Sequence, residues 1–330
     1  MKQVLEKLIE HKSLHKQEAE NILIRIAEGE GNEAQLAAFM TVYLMRTVTP
    51  DELAGFRSAL LKVCTKINLP GEYAIDLCGT GGDGKNTFNI STLAAFVVAG
   101  AGGKVIKHGN YGVSSVSGSS NVMEYFGFKF SADESKLNQA LEKNNVCFLH
   151  APLFHPALKR VAPVRKALGM KTFFNMLGPL VNPAQPKFRV TGVFNLELAR
   201  VYQYLMQETD EQFVILHSLD GYDELSLTAE AKLFVKNGEK MISPYDFGFE
   251  RLSQAAINGG STIETAAKIF TDVLQNKSTA AQKNVVVANA AIALQCLGKY
   301  ENLSEAVSAA EESLLSGNAL NVFTKTIESN

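Results

Sequence analysis

The segment Ile75–Thr92 restricts the fold of this chain more than any other part of the sequence. It runs from an apolar strand into a glycine-rich loop and then, through Asn, Ser and Thr residues, into an apolar helix. Glycine allows positive φ angles and lets a ligand approach the backbone closely. The helix that follows begins with unpaired N–H groups at the positive end of its dipole. This combination predicts an α/β unit that can hold an anion such as phosphate at the end of a strand.

Two familiar glycine motifs fit this loop only in part. Gly79, Gly81 and Gly84 match G-x-G-x-x-G, but a dinucleotide site also expects an acidic residue about 20 residues further on. The next predicted strand, Lys104–His108, ends in basic and neutral groups instead, which argues against a nicotinamide cofactor. The loop also nearly forms a Walker A motif, but Asn86 stands where that motif needs Ser or Thr to bind magnesium.

A second polar, glycine-containing loop follows the next strand. Lys107–Ser115 supplies a lysine, glycines and serines, and Val116–Ser120 adds further hydroxyl groups before another predicted helix. In a parallel sheet the carboxyl ends of the strands lie at one edge, so that the two loops would face one cleft. Either loop alone could be an ordinary connection between a strand and a helix. The two in succession favour a shared phosphate-binding site.

The remaining sequence predicts a small helical part and a larger α/β part. Apolar residues at helical spacing predict helices in residues 1–70, and Glu33–Arg46 is apolar almost all round, as in a buried or interface helix. A capping box at Thr49–Glu52 begins a further helix. In residues 71–330, alternating strands and helices favour a mostly parallel central sheet flanked by helices. The predicted strands are Tyr73–Cys78, Lys104–His108, Val146–Leu149, Val190–Phe194 and Phe213–His217.

Two more helices are predicted towards the end of the chain. Ser261–Glu264 has the pattern of a capping box and would begin one of them. The alanine-rich stretch from Ser278 would form a long helix that ends at Gly298.

Composition limits the class of protein and of partner. The 330 residues carry a net charge of −2, so the chain has no strong positive field that would attract nucleic acid or anionic lipid. The four cysteines are scattered without metal-binding spacing, as expected of reduced thiols in a cytosolic protein. The N-terminal segment has no signal-peptide core, and the apolar runs are too short to cross a bilayer. We therefore expect a cytoplasmic protein without nucleic-acid or membrane partners.

Several motifs together resemble the anthranilate phosphoribosyltransferase family, in that family's order and spacing and over nearly the whole chain. The matching motifs are GTGGDG with TFNIST (79–92), KHGN with the serine loop (107–120), PVRKALGMKTFFNMLGPLVNP (163–183) and the pair Asp223–Glu224. The resemblance implies a small helical domain over 1–70, with a segment near 160–185 as a candidate addition, and an α/β domain over 71–330. It also implies a homodimer formed through the helical domain.

The resemblance implies a reaction of the transferase class. In that family the amine of anthranilate displaces pyrophosphate from carbon 1 of phosphoribosyl pyrophosphate (PRPP), giving phosphoribosyl anthranilate for tryptophan biosynthesis. The implied cofactor is Mg²⁺, with two ions per subunit. Such a displacement needs a stabilised leaving group and a positioned nucleophile. Because an aromatic amine is uncharged at neutral pH, the reaction fits a sequence without an obvious nucleophile–base triad.

The family pattern also implies roles for the matching residues. Gly79, Asn110 and Arg165 would bind anthranilate, and Asn110, Arg165 and His108 would take part in catalysis. The implied metal ligands are Ser91, Asp223 and Glu224. The residues implied to contact PRPP are Gly79, Gly82, Asp83, Thr87, Asn89, Ile90, Ser91, Thr92, Lys107, His108, Gly109, Asn110, Tyr111, Gly112, Val113, Ser114, Ser115 and Ser119.

Some of these residues have ordinary structural explanations as well. Asp83 could hold the glycine turn through an Asx hydrogen bond. Arg165 could form a surface ion pair in the basic run 159–166, and an Asp-Glu pair is commonly a solvated turn. His155 is a further candidate to line the pocket, although a lone histidine is more often structural.

The chain departs from the family pattern at three positions near the serine loop. Tyr111 stands where many members carry Arg, Val116 where Lys is frequent and Asn121 where Asp is common. Together these exchanges remove two positive charges and one negative charge beside the substrates.

Two other functions remain open at the level of sequence. A pyrimidine nucleoside phosphorylase would share the fold and the serine loop but would use free phosphate. A non-catalytic relative that binds nucleic acid would keep the fold, lose the metal residues and show a basic surface.

Overall fold

A computed structural model describes residues 1–112 and 116–329. The chain forms two compact units, and each is built from two separate stretches of sequence. Met1–Ile67 and Ala151–Pro183 form a helical unit, whereas Asn68–His150 and Ala184–Asn330 form an α/β unit. Within the described ranges, no helix has both the length and the apolar character needed to cross a membrane.

The elements are numbered in chain order. The α-helices are α1 (Lys2–Ile9), α2 (Lys16–Ala27), α3 (Glu33–Met45), α4 (Pro50–Val63), α5 (Ile90–Gly100), α6 (Ser119–Tyr125), α7 (Glu134–Asn144), α8 (Ala151–Phe154), α9 (Leu158–Leu168), α10 (Phe174–Leu177), α11 (Leu196–Gln207), α12 (Ile263–Leu274), α13 (Ala280–Cys296), α14 (Leu303–Leu315) and α15 (Asn318–Glu328). The β-strands are β1 (Ala74–Gly79), β2 (Lys104–Gly109), β3 (Val146–His150), β4 (Phe188–Gly192), β5 (Gln212–Ser218), β6 (Ala231–Val235) and β7 (Gly238–Ile242).

In the helical unit, a buried glutamate fixes the start of α4. The predicted capping box is confirmed: Thr49 is the N-cap residue, its side chain accepts from the N–H of Glu52, and α4 begins at Pro50. Glu52 is fully buried, and its carboxylate accepts hydrogen bonds from Arg46 at 2.5 and 2.8 Å and from the N–H of Leu14 at 3.0 Å. Glu52 therefore also connects α4 to Leu14, before α2, and to Arg46, after α3.

An aromatic cluster joins the two stretches of the helical unit. Phe39, Tyr43 and Phe56 pack around Phe173, with ring centroids 4.7–5.8 Å from that of Phe173. The first three residues lie on α3 and α4, whereas Phe173 comes from the second stretch, Ala151–Pro183. The sequence predicts a division at residue 70, with a segment near 160–185 as a candidate addition to the helical domain, whereas in the structure the whole of Ala151–Pro183 belongs to the helical unit.

The α/β unit has one seven-stranded sheet in the order β3-β2-β1-β4-β5-β6-β7. The pairs among β1–β5 are parallel, and β6 and β7 are antiparallel. The predicted mostly parallel sheet is thus confirmed, although β4 begins and ends two residues before the predicted strand. The antiparallel hairpin of β6 and β7 was not predicted. Helix α5 and the part of α13 from Val285 to Leu294 are buried almost all round.

Candidate active site

The first glycine loop follows β1 and is held by an aspartate from a distant part of the sequence. Gly81, Gly82 and Gly84 have φ angles of 65°, 78° and 73°, which side-chain-bearing residues rarely adopt. The N–H of Gly81 donates to Oδ2 of Asp223 at 2.6 Å. Asp83 Oδ1 accepts from the N–H two residues later at 2.9 Å, which is the Asx turn considered as its structural explanation.

Two glycines leave room for Asp223. A Cβ at Gly79 would overlap the Asp223 carboxyl group, and a Cβ at Gly192 would overlap the Asp223 backbone carbonyl. Gly79 and Gly192 are paired at the ends of the neighbouring strands β1 and β4. The missing side chains therefore let the acidic segment lie directly against the edge of the sheet.

The acidic pair lies beside the first turn of α5. The N–H of Ser91 donates to Glu224 Oε1 at 3.1 Å, while Glu224 Oε2 is buried and has no hydrogen-bond partner among the described residues. The ammonium of Lys107 is buried as well and contacts Ser91 Oγ at 3.4 Å and the carbonyl of Leu77. The structure thus brings the three predicted metal ligands, Ser91, Asp223 and Glu224, together with Lys107.

A cavity of about 20 Å³ lies between these groups, lined by Gly79, Ser91, Asp223 and Glu224 among others. This volume accommodates one occupant of the size of a water molecule. Over the described ranges, no group of three or more His, Cys, Asp or Glu side chains is arranged to bind a metal. Mg²⁺ is nevertheless commonly bound by only one or two carboxylates, with substrate phosphates as its remaining ligands.

Burial makes the two carboxylates costly when they are ionised. Burial and then the charge of Asp83 raise the pKa of Asp223 to about 7. Burial and then Asp223 raise the pKa of Glu224 well above its ordinary value. A cation in the cavity would compensate the negative charges of Asp223 and Glu224 and would give the Glu224 Oε2 atom a partner. The residues present therefore fit a divalent cation.

The segment between the glycine loop and α5 is fixed by a contact that the sequence did not predict. Thr87 forms an isolated antiparallel bridge with Asn258, and the N–H of Gly259 donates to the carbonyl before Thr87 at 2.7 Å. Asn89 follows as the N-cap residue of α5, and Ile90–Thr92 form its first turn. These predicted PRPP contacts thus lie beside the acidic pair, to which Ser91 bonds directly.

The second loop begins at the end of β2. His108 is buried, and its N–H donates to Asp76 Oδ1 at 3.1 Å. Gly109 lies against Ser119, since a Cβ at Gly109 would overlap the serine hydroxyl. Asn110 is exposed, and its carbonyl accepts from the Ser119 hydroxyl at 3.3 Å. Three predicted PRPP contacts, Val113, Ser114 and Ser115, lie outside the described residues.

Arg165 belongs to the helical unit, as does the further candidate His155, whereas the other predicted site residues belong to the α/β unit. It lies on α9, is half-buried, and donates from Nη2 to Asn175 Oδ1 at 3.3 Å. Its guanidinium stacks over the ring of Phe174, 5.4 Å from the centroid. In the described part of the chain it meets no carboxylate, and burial alone lowers its pKa. The surface ion pair considered as its structural explanation is therefore absent there.

His155, the further pocket candidate, has a structural role in the helical unit. It is 1% exposed, and its Nε2 lies 2.9 Å from the carbonyl of Val181. This contact ties α8 to the end of the second stretch, as the more common role of a lone histidine suggested.

Two asparagines that sequence reasoning missed support the candidate residues. Asn175 accepts from Arg165 and from the N–H of Thr172 at 3.0 Å, which fixes its amide orientation. Asn289 on α13 accepts from the N–H of Leu225 at 3.1 Å and donates to the Leu225 carbonyl at 2.9 Å, which fixes the chain directly after the acidic pair. The only sequence signal for Asn289 is a polar residue in the apolar run VVVANAAIAL.

Replacing Gly192 with alanine tests the packing of the acidic segment against β4. Because the new Cβ would overlap a backbone carbonyl, which cannot rotate away, we expect a loss of about 2–3 kcal/mol in the free energy of unfolding. Gly127→Ala is the control, since Gly127 has a φ of 87° but open space around its Cβ and should cost only about 1 kcal/mol. Urea unfolding of both variants gives the comparison, and equal losses would contradict the packing argument.

Family models match the chain in two blocks. Residues 71–320 match the α/β domain of a glycosyl transferase family, and residues 2–64 match the helical bundle domain of such a family. Together they cover most of the chain.

Individual relatives agree in sequence and in fold. The anthranilate phosphoribosyltransferase of Flavobacterium johnsoniae is 57% identical over 328 residues, covering 99% of each chain. The crystal structure of the enzyme of that name from Thermus thermophilus superimposes with a TM-score of 0.92 at 31% identity, covering 98% of each chain. The one from Saccharomyces cerevisiae, solved in complex with PRPP and Mg, gives a TM-score of 0.91 at 28% identity, covering 98% of this chain and 96% of the yeast chain.

Proposed function

Since this chain belongs to the anthranilate phosphoribosyltransferase family, we infer that the site described above carries out that family's reaction. The phosphoribosyl group of PRPP passes to the amine of anthranilate, and pyrophosphate leaves. The function predicted from the sequence motifs is confirmed, as is the enzyme class, a glycosyltransferase of tryptophan biosynthesis. Such a reaction requires the chain to bind both substrates, to stabilise the leaving group and to position the amine.

We propose that PRPP lies at the edge of the sheet where β1 and β2 end. Cleavage at carbon 1 leaves negative charge on the departing pyrophosphate, so the site needs fixed positive charges and donors there. Three features support this location: the glycine turn at Gly81–Gly84, the first turn of α5 and the buried ammonium of Lys107. The residues that we propose for PRPP are those named from the family pattern, from Gly79 to Ser119.

We propose Ser91, Asp223 and Glu224 as the residues that hold magnesium. The support is the cavity between them, the unpartnered Glu224 oxygen and the raised pKa of both carboxyls. When bound, Mg²⁺ would neutralise charge on the pyrophosphate leaving group. Two ions per subunit remain our prediction, with the second one held mainly by substrate phosphates.

We propose that Arg165 binds the carboxylate of anthranilate. The observation that carries this role is a half-buried guanidinium that meets no carboxylate in the described chain and is oriented by Asn175 and Phe174. A planar guanidinium can bind a carboxylate through two parallel hydrogen bonds. Asn110 and Gly79 are the other proposed anthranilate contacts, and His108 remains a proposed catalytic residue. No strong base is required, because the attacking amine is already uncharged.

The assembly state and the location in the cell are part of the proposal. We propose a homodimer formed through the helical unit, because Met45 and Leu44 at the end of α3 and Ile9 of α1 are exposed apolar residues on that unit. We also propose a cytoplasmic location. We further propose small-molecule substrates only, because a net charge of −2 provides no strong positive field to attract nucleic acid.

The reaction and the role of Arg165 can be tested together. Loss of anthranilate fluorescence on mixing with PRPP should depend on magnesium in the parent protein. Arg165→Ala should lower kcat/KM for anthranilate about 100-fold, mainly through KM, because it removes a charge-assisted pair. Lys166→Ala is the matched control, since it removes an exposed charge from the same helix. Equal effects of the two variants would contradict the proposed role of Arg165, and an inactive parent would contradict the proposed function.

A further inference from the structure

The two ends of the serine loop are joined by one side chain, that of Asn121. Its Oδ1 accepts from the N–H of Gly112 at 2.9 Å and from the N–H of Gly118 at 3.0 Å. These donors flank the loop, and Asn121 itself lies in the first turn of α6. We propose that Asn121 is a positioning residue: by joining Gly112 to Gly118 it holds the stem that carries Asn110 against the start of α6, so that Asn110 keeps a fixed position for the substrates. This inference rests on the function proposed above.

Gly118 allows the two stems to lie close enough for this bridge. A Cβ at Gly118 would lie 2.6 Å from the carbonyl carbon of Tyr111 and 2.7 Å from the Cα of Gly112, so the two stems pack backbone against backbone. The single Asn121 oxygen accepts from both stems, so that both of its lone pairs are used.

The bridge lies between two residues that are proposed to bind substrate, Asn110 and Asn89. On one side, the N–H of Ser120, next to Asn121, donates to the carbonyl of Asn110 at 3.1 Å. On the other side, Ser117 and Asn89 exchange two hydrogen bonds of 2.9 and 3.1 Å. Asn110 is a proposed contact of anthranilate and of PRPP, and Asn89, a proposed PRPP contact, directly precedes α5. Asn121 is thus linked to Asn110 through its neighbour Ser120, and to Asn89 through Ser117 and Gly118.

Tyr111 stabilises the first of the two stems, Asn110–Gly112, through contacts of its side chain. Its hydroxyl donates to Glu124 at 2.8 Å, and its ring packs edge-on against His150 with centroids 4.9 Å apart. His150 in turn stacks on Phe130 and bonds through Nδ1 to the hydroxyl of Ser120 at 2.8 Å. Tyr111 therefore uses both its ring and its hydroxyl within the fold. The Tyr111 side chain thus holds the stem Asn110–Gly112 in place and offers no positive charge to phosphate.

The test compares two replacements of Asn121 that differ in the acceptor. Asn121→Leu has a similar size but no oxygen, whereas Asn121→Asp keeps an oxygen that can accept from both N–H groups. We expect Asn121→Leu to raise KM for PRPP about tenfold with kcat within about twofold, because substrate binding must then also hold the two stems at Gly112 and Gly118 together. We expect Asn121→Asp to keep KM for PRPP within about twofold of the parent value. Asn318→Leu, at an exposed asparagine on α15, is the control and should match the parent.

Hydrogen–deuterium exchange of the peptide spanning 109–121 gives a second readout that does not depend on turnover. Exchange at Gly112 and Gly118 should become faster in Asn121→Leu but not in Asn121→Asp. A folded Asn121→Leu variant with the parent KM and the parent exchange rate would overturn the proposal, and so would an Asp variant that behaves like the Leu variant. An inactive parent would refute the proposed function instead, while the exchange comparison would still decide whether Asn121 holds the two stems together.

Discussion

Replacing Glu224 with glutamine should lower activity and at the same time make the ligand-free protein more stable. We expect kcat/KM at saturating magnesium to fall about 100-fold, since a proposed metal ligand loses its charge. We expect the free energy of unfolding without magnesium and PRPP to rise by about 1–2 kcal/mol, since a buried carboxylate is removed. The opposite signs distinguish a binding role from a structural one.

The geometry of Glu224 explains both halves of this expectation. Its Oε1 accepts from the N–H of Ser91, and a glutamine oxygen can keep that hydrogen bond. The amide nitrogen would then take the position of the buried, unpartnered Oε2 and would present N–H groups where a cation should bind. Because burial raises the pKa of Glu224, the neutral amide is the easier group to bury.

The measurement combines fluorescence kinetics with urea unfolding of the same preparations. Glu230→Gln is the control, because Glu230 is exposed and its replacement should leave both quantities within error of the parent. Parent-like activity in Glu224→Gln would remove this residue from the proposed metal site. A less stable ligand-free variant would show instead that the carboxylate stabilises the fold.

Glu52→Gln should cause the largest loss of stability that we expect from a single change in the helical unit. The Glu52 carboxylate is fully buried and compensates Arg46 while accepting from the N–H groups of Leu14 and Thr49. With a neutral glutamine at position 52, the positive charge of the partly buried Arg46 would lose its compensating carboxylate. We expect the free energy of unfolding at pH 7 to fall by about 3–5 kcal/mol. Chemical denaturation followed by far-UV circular dichroism would measure this loss.

The pH dependence of this loss is a further part of the same test. Burial acts to raise the pKa of Glu52, but hydrogen bonds from Arg46, Leu14 and Thr49 outweigh it and hold the pKa below its ordinary value of 4.5. A carboxyl whose pKa is lowered by folding stabilises the protein above its unfolded-state pKa, and this stabilisation is lost as the pH falls through the lowered value. The difference between parent and variant should therefore be full at pH 7 and shrink below about pH 4.5.

Glu18→Gln provides the control for Glu52. Glu18 occupies the same capping-box position, in α2, and pairs with Lys7, but its side chain is 45% exposed. Exposed ion pairs contribute about 0.2–1 kcal/mol, so its replacement should have a small effect. A similar loss from the two variants would contradict the argument from burial.

The sequence predicted those features that depend on nearby residues. The glycine loop between β1 and α5, the capping box at Thr49 and the five parallel strands all have local signals in turn residues, caps and apolar runs. The signals for β6 and β7 are weaker, because an antiparallel hairpin at the end of a sheet needs no continuous apolar run. The capping box predicted at Ser261–Glu264 was wrong by one residue: Thr262 caps α12 by accepting from the N–H of Thr265.

Contacts between distant residues could not be predicted from the sequence. Gly192 is needed because Asp223 passes directly over it, and no local pattern announces that approach. Asn175 and Asn289 act through hydrogen bonds to Arg165 and Leu225, which a sequence does not reveal without the fold. For Asp83 the two explanations stayed open, and the Asx turn that the structure contains does not exclude the proposed contact with PRPP.

The order in which the chain is made has a consequence for the helical unit. Translation produces Met1–Ile67 first, but Phe173, around which Phe39 and Phe56 pack, emerges more than a hundred residues later. Until then the nascent N-terminal helices carry an aromatic surface without its partner, and such surfaces favour chaperone binding or association. The α/β unit is interrupted in the same way, because its sheet needs strands from both sides of Ala151–Pro183. A nascent chain that stops before residue 151 therefore contains neither unit complete.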